Sequence, residues 1–347
     1  LSFKDEDVPL LSDAEPLRSE PQGFAPDQMV RCDNCLRANP PTRTSCLYCA
    51  AQLPATEANA TLQRPTLRRL EKWEQGFNVI LMHGNAPDMT GETLQGIGQL
   101  LRLSAEDVRR IIEAREPLPV ARASTPDEAA LIERKLAEMN VKVLVIADDN
   151  LDLEESTMKR ARTLVLTESA LVAYQAGGVE VWRVSWNEIV LLVAGRLFTR
   201  EIEVEERKGL KAEKQIVDAR ELSADEAVLD IYTTQGNDGW RIRANSFDFS
   251  CLGAQKKFVA AQNFSRLAEI LRVHAAEASY DDSYNRVRHA LSIAWPLEQQ
   301  TEARGWNRKW PGQISTESVT KSDNELQFTR YSRLRRYLQQ HPSETNA

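Results

Sequence analysis

Four of the five cysteines in this 347-residue chain fall within "RCDNCLRANPPTRTSCLYCA", as Cys32, Cys35, Cys46 and Cys49. No other feature constrains the fold as tightly as their spacing, Cys-x2-Cys-x10-Cys-x2-Cys. Each Cys-x2-Cys turn brings two sulfurs to one spot, and the spacer lets two such turns face each other. Four thiolates at tetrahedral corners suit zinc and leave no open position for a substrate. Disulfides are the weaker reading for a chain expected to stay in the cytoplasm. A redox pair would want a strand–helix–strand setting, whereas these flanks are proline-rich and polar. The expected cofactor is therefore structural zinc, and it organises residues 30–54. A segment this short has no core of its own, so metal binding supplies its folding free energy, on the order of 10 kcal/mol. The fifth cysteine, Cys251 in "FDFSCLGAQ", reads as a small buried or half-buried side chain.

Length allows two or three domains, and 42% hydrophobic with 27% charged residues fits a soluble globular protein. The longest apolar run, around "EIVLLVAG", falls short of the roughly 20 residues of a membrane helix. The opening "LSFKDEDVPLLSDAEP" lacks a basic start followed by an apolar core, so the expected location is cytoplasmic. A net charge of −7 argues against a protein dominated by nucleic-acid contacts. The two ends differ in sign. Residues 1–30 hold seven acids, two bases and four prolines, while 301–340 hold eight bases and four acids. The first composition resists forming a core, and residues 1–29 are expected to be extended or disordered.

After a polar linker over 55–73, patterning becomes regular. "FNVILM" reads as a strand, and Leu94, Ile97 and Leu101 share one helical face. Ser104 opens a second helix with Val108, Ile111 and Ile112 as its apolar stripe. "PLPVARA" is a strand. Thr125 and Pro126 start a third helix with Ala129, Ile132, Leu136 and Met139 on one side, and "VKVLVI" is the closing strand. The order β-α-α-β-α-β over 74–147 predicts a small α+β domain. Across 148–161 a second linker is expected. From 162 to 276 the period becomes two, with Gly177-Gly178 as a hairpin signal and "KGLKAEKQIVDARELSADE" as a polar insertion. Trp240, Ile242 and Ala244 are placed on one strand face, with Arg241 and Arg243 on a solvated one. "NFSRLAEILRVHA" is an amphipathic helix capped by Asn263, with His274 packed against its apolar side.

Three resemblances follow from these stretches. The pattern Cys35-x3-Asn39-x6-Cys46 resembles the Ran-binding-protein type of zinc finger, whose members bind single-stranded RNA or ubiquitin. The RNA binders carry tryptophans where this chain has Val30 and Pro40, and the ubiquitin binders carry Thr-Phe where it has Leu36 and Arg37. Neither ligand transfers with the fold. "FNVIL" and "STPDEAALIERKLAEMNVKVLVI" resemble the C-terminal domain of the bacterial ribosomal stalk protein, a fold shared by the Clp-protease adaptor. The stalk's lysine-edged helical face is replaced here by Leu94, Gln95, Gln99 and Arg102. His83 sits in a ligand-like loop, where it reads as a surface side chain. The strands and closing helix of 162–276 resemble a bacterial pleckstrin-homology-type barrel. Phosphoinositide binding is not expected, because the loop after its first strand, "TESALV", is small and acidic.

Residues 277–347 read as an extended basic, aromatic tail. Trp306 and Trp310 have no periodicity to bury them, and "RYSRLRRYL" forms a short basic helix. Trp and Arg anchor interfaces, so Trp306, Trp310, Arg333, Arg335 and Arg336 are the expected partner-binding residues. The alternative is that the tail wraps over its own domains. No phosphate-binding Gly-Lys-Ser/Thr loop, Gly-x-Ser-x-Gly elbow or His-Glu-x-x-His pair occurs, so no catalytic residue is assigned. The expectation is an α+β multidomain protein: zinc finger, small βααβαβ domain, pleckstrin-homology-like barrel with a C-terminal helix, and tail. Its expected role is a non-catalytic adaptor or accessory subunit within a protein assembly. A ribosome- or RNA-associated factor and a substrate-delivery adaptor for a protease or other enzyme are the alternatives.

Overall fold

The computed structural model describes residues 23–54, 56, 59, 62–71, 73–82, 90–153, 158–176, 180–208, 214–236, 238–310 and 313–343. For 180–181, 205–208, 214–218, 304–310 and 313–317 only the backbone is described. Gly177-Gly178, His83 and residues 1–22 lie outside this set. The chain divides between Thr66 and Leu67 into two units.

In the smaller unit, β1 (Val30–Arg31) pairs antiparallel with β2 (Ala38–Asn39), and Ser45 bridges to Gln52. Among the described residues, its hydrophobic cluster has Cys32, Cys46 and Leu53 at the centre. A core of that size cannot offset the entropy of ordering the segment.

The larger unit begins with β3 (Phe77–Leu81), α1 (Gly91–Leu101), α2 (Ala105–Glu113), β4 (Leu118–Ala123), α3 (Pro126–Glu138) and β5 (Val143–Ala147). The helices start at capping hydroxyls: Thr90, Ser104 and Thr125 each accept from the backbone N–H three residues on. The strands form an antiparallel sheet in the order β4-β3-β5. Then come β6 (Met158–Ala161), β7 (Thr163–Leu166), β8 (Ala170–Tyr174) and β9 (Glu180–Ser185), of which β7, β8 and β9 make a second antiparallel sheet. A third sheet has the order β14-β15-β10-β11-β12-β6. Its long strands are β10 (Ile189–Lys208) and β11 (Lys214–Thr233), joined by β12 (Gly239–Arg243), β14 (Glu298–Trp310) and β15 (Gln313–Asp323). The short β13 (Ser279–Asp281) pairs parallel with β10. Helices α4 (Ala260–His274), α5 (Tyr284–Leu291) and α6 (Glu325–Gln340) complete the chain.

One face of β10–β12 looks into a core shared with β7–β9 and α4. Leu192, Leu229, Ile231, Trp240, Ile242 and Leu271 meet there, and Trp182 stacks on Trp240 at 5.2 Å. The opposite face is buried as well. Leu191, Val193, Val228 and Tyr232 join Val79, Ile132 and Ile146 of the first α+β segment, together with Tyr284, Trp295, Phe328 and Tyr331 from the last seventy residues. A single hydrophobic core thus runs across the boundaries that composition suggests near 147, 162 and 276. Polar contacts follow the same path. Trp295 Nε1 donates to Asn78 Oδ1 at 2.8 Å, and Asn78 Nδ2 donates to Asp148 Oδ1 at 2.8 Å, all buried.

Several expectations change for this reason. The tail is not extended: residues 279–340 form β13, α5, the β14–β15 hairpin and α6. Arg241 is not on a solvated face, since α6 covers it. Its side chain is 3% exposed and makes a two-pronged pair with Asp230 at 2.7 and 2.8 Å. Arg243 pairs with Glu226 and Glu325. The stretch read as a polar insertion is mostly strand, because 214–227 pairs with the outer part of β10. The outer half of β11 has no regular apolar alternation to betray it, since inter-strand hydrogen bonds rather than a core define it. Helix α4 begins at Ala260, ahead of Asn263. Asn263 is buried and exchanges hydrogen bonds with the Lys257 backbone at 2.6 and 2.8 Å. His274 is exposed, with its ring stacked on Trp186 at 4.6 Å.

Gly195 on β10 lies directly beneath this helical layer. A Cβ there would meet Phe328 Cε2 at 2.6 Å and Tyr284 Cδ1 at 2.9 Å. We expect Gly195→Ala to destabilise the larger unit by about 1–3 kcal/mol through overpacking. Urea unfolding followed by tryptophan fluorescence would detect it, and an unchanged midpoint would contradict the packing of α6 on β10.

Candidate metal centre

The four cysteines converge. Cys32 Sγ lies 3.6 Å from Cys49 Sγ, Cys35 Sγ lies 3.5 Å from Cys46 Sγ, and all four sulfurs fall within 4.8 Å of one another. The two Cys-x2-Cys turns are built alike. In each, the first cysteine's N–H donates to the carbonyl five residues on, Arg37 at 2.9 Å and Ala51 at 2.7 Å. Its carbonyl accepts from the residue four on, Leu36 at 2.8 Å and Ala50 at 3.1 Å. Leu36 and Ala50 both take the left-handed backbone, with φ of 59° and 58°. A non-glycine residue there costs free energy, and the repeat of that conformation shows what each turn needs to fold both sulfurs inward.

Asn39 braces the second turn from the first. It is fully buried, accepts from the Leu47 N–H at 2.8 Å, and donates through Nδ2 to Cys46 Sγ at 3.4 Å and to the Arg37 carbonyl at 2.9 Å. Sequence reasoning used Asn39 only as part of a spacing pattern and assigned it no task. Its position midway between the cysteine pairs was the available signal.

The electrostatics fit a cation. Burial works against ionising Cys46, but the Tyr48 and Cys49 backbone N–H groups, with Cys35 and Asn39, outweigh it and bring Cys46 down to about 6. Cys49 is also lowered, chiefly by the Ala51 N–H. The Arg37 N–H favours a Cys35 thiolate, yet burial and the three neighbouring sulfurs push Cys35 up to about 12. Four anions cannot sit this close unaided, so some sulfurs shed protons while another keeps its own. A divalent cation removes the conflict. Tetrahedral zinc–sulfur bonds of about 2.3 Å put corner sulfurs about 3.8 Å apart, close to the spacing found. These residues fit a metal ion held by four thiolates.

Cys251 is of another kind: half-buried, with burial pushing its thiol up to about 11. That is the setting of an unreactive packing cysteine.

The remaining sequence-selected residues do not gather into one site. Trp306 and Trp310 fall on β14, and their side chains are outside the described set. Arg333 and Arg336 face inward from α6 and are buried. Arg333 lies over the Tyr232 ring at 5.4 Å, and Arg336 donates to the Thr233 carbonyl. Arg335 pairs with Asp281 and, at 3.0 Å, with Glu116. In this fold the three arginines hold the larger unit together. The i, i+3 spacing of Arg330, Arg333 and Arg336 places them on one helical face, and Tyr331, Leu334 and Leu338 beside them show that face to be the buried one.

No protein-family model, curated protein or solved structure matches this chain. Among the described residues, no helix is long and apolar enough to cross a membrane.

Asn39→Ala removes a hydrogen bond to a ligand sulfur and the brace on the second turn. We expect metal affinity to fall by about 10–100-fold, as when outer-shell partners are lost elsewhere. Competition with a chromophoric chelator measures this directly. Equal affinities would assign Asn39 to the fold alone.

Proposed function

We propose that the smaller unit is a zinc finger of the Ran-binding-protein kind, and that the protein is a non-catalytic adaptor or accessory subunit that docks on another protein through it. Soft thiolate donors favour zinc over hard cations such as magnesium or calcium. A set of four closes the coordination shell, so the ion's task is to shape the turns around it.

The observation that carries the docking reading is what those turns display. Leu36, Leu47 and Tyr48 are 61%, 55% and 56% exposed, although they flank the best-buried atoms of the unit. Two of them lie between Cys46 and Cys49, and the third follows Cys35 directly. The Arg37 guanidinium sits 4.6 Å from the Tyr48 ring centre, holding that ring in place. Apolar side chains fixed on a metal-braced frame lose little entropy on binding, which suits a protein contact. The residues that replace stacking tryptophans, Val30 and Pro40, weigh against RNA as the ligand.

Tandem-affinity capture of the full chain followed by mass spectrometry tests this reading. The paired change Leu47→Asp and Tyr48→Ser is expected to abolish a stoichiometric protein partner while leaving metal content at one ion per chain. Capture that survives the double variant, or that vanishes on RNase treatment, would refute the proposal.

A further inference from the structure

The larger unit contains a cleft of about 840 Å³, within the range of small-molecule sites. Its floor and walls include Leu101, Leu103, Val120, Ile293 and Leu326. These come from α1 and its following turn, β4, the segment after α5, and the start of α6. Residues 67–71 and Trp73 border it, with Trp73 standing 81% exposed.

The lining also includes Arg330, the residue on α6 that composition did not single out. Arg330 is 6% exposed, and its Nε is buried without a hydrogen-bond partner among the described residues. Two other arginines on the wall are better served. Arg122 pairs with Asp148 and donates to the Glu74 carbonyl at 2.7 Å, and Arg68 forks onto Glu74 at 2.7 and 2.6 Å. Burial is the main reason that Arg330 is lowered to about 10, helped by Arg122 and opposed by Asp148 and Glu298. It therefore remains a cation at neutral pH. A buried guanidinium with an unsatisfied donor is unfavourable unless something completes it.

We propose that this cleft binds a small organic anion that carries one carboxylate and an apolar body, with Arg330 as the carboxylate's partner. Charge balance sets the class. Arg68 and Arg122 are matched by Glu74 and Asp148, and the wall adds Arg69, Glu71 and Glu298. With Arg330 the groups about the cleft come to four cations against four carboxylates, so a singly charged ligand disturbs that balance less than a phosphate dianion would. The planar guanidinium fork matches a carboxylate in shape, and the leucine, valine and isoleucine walls match an alkyl or aryl body.

Isothermal titration of the full, metal-loaded chain with decanoate tests the proposal, with inorganic phosphate and acetate as companions. Decanoate is expected to bind one per chain. Acetate should bind at least tenfold more weakly for want of an apolar body, and phosphate should give no saturable heat. Arg330→Met keeps the apolar stem but not the charge, and is expected to weaken decanoate at least tenfold. Its unliganded melting temperature should be no lower than the parent's, since an unpaired buried charge is removed. Ala294→Phe, which intrudes on the cleft and leaves Arg330 in place, should weaken decanoate comparably. Absence of decanoate binding at millimolar concentration, tighter binding of phosphate, or unchanged affinity in either variant would overturn the assignment. A lower melting temperature for Arg330→Met would give Arg330 to the packing of α6 instead, and would overturn it too.

Discussion

Because β10, β11 and β12 carry apolar residues on both faces, the larger unit cannot close until helix α6 covers the second face. The contact that achieves this is aromatic. Phe328 and Tyr331 pack around Tyr284 with ring centres at 5.0 and 5.5 Å, over the bare backbone of Gly195. Asn324, at the mouth of α6, fixes the register. It accepts from the Phe198 N–H at 2.6 Å and donates to the Arg196 carbonyl at 3.0 Å and to the Tyr284 hydroxyl at 2.8 Å. Asn324 lies more than a hundred residues along the chain from its β10 partners Arg196 and Phe198, so closing that contact carries a large loop-closure entropy. Once in place it buries the Asp230–Arg241 pair beside Phe328, where the Arg241 guanidinium lies 5.0 Å from the ring centre. A buried pair of this kind is tolerated through its two-pronged geometry rather than as a source of stability.

The smaller unit solves the opposite problem. It has almost nothing apolar to bury, so its shape rests on sulfur, two left-handed turns and one buried asparagine. A site able to hold an ion takes the place of a core there, whereas the larger unit is held by hydrophobic packing that includes the chain's far end. The division of labour suits an adaptor. The turns around the four sulfurs present Leu36, Leu47 and Tyr48, and the larger unit has a cleft lined in part by Arg330.

Much of the local structure was legible from residues alone. Thr125 with Pro126, and Ser104, mark helix starts because a hydroxyl satisfies an N–H that the helix leaves free. The cysteine spacing pointed to four converging sulfurs because few arrangements other than a shared ion use two such pairs. What was hidden is long-range. Arg241 and Arg243 alternate with apolar residues as a solvated face would, and nothing nearby in sequence says that a helix eighty residues later covers them. A sharper signal was present in "VLLV", an unbroken apolar run, and in "VLDIY", interrupted only by Asp230, as befits strands buried on both sides. Arg333 and Arg336 misled for a related reason. Arginine on a basic helix suggests an exposed contact, and only the tertiary fold shows that its aliphatic stem and guanidinium are used inside. Along the outer half of β11 apolar residues do not alternate regularly, so strand and loop look the same there.

The account rests on two units that stand on different physics. Hydrogen–deuterium exchange of the intact chain, with and without removal of metal by a strong chelator, tests that most directly. Amides across 30–54 are expected to lose protection when the ion is stripped, while those of β10, β11 and α6 keep theirs. Protection lost throughout the chain, or unchanged across 30–54, would contradict it.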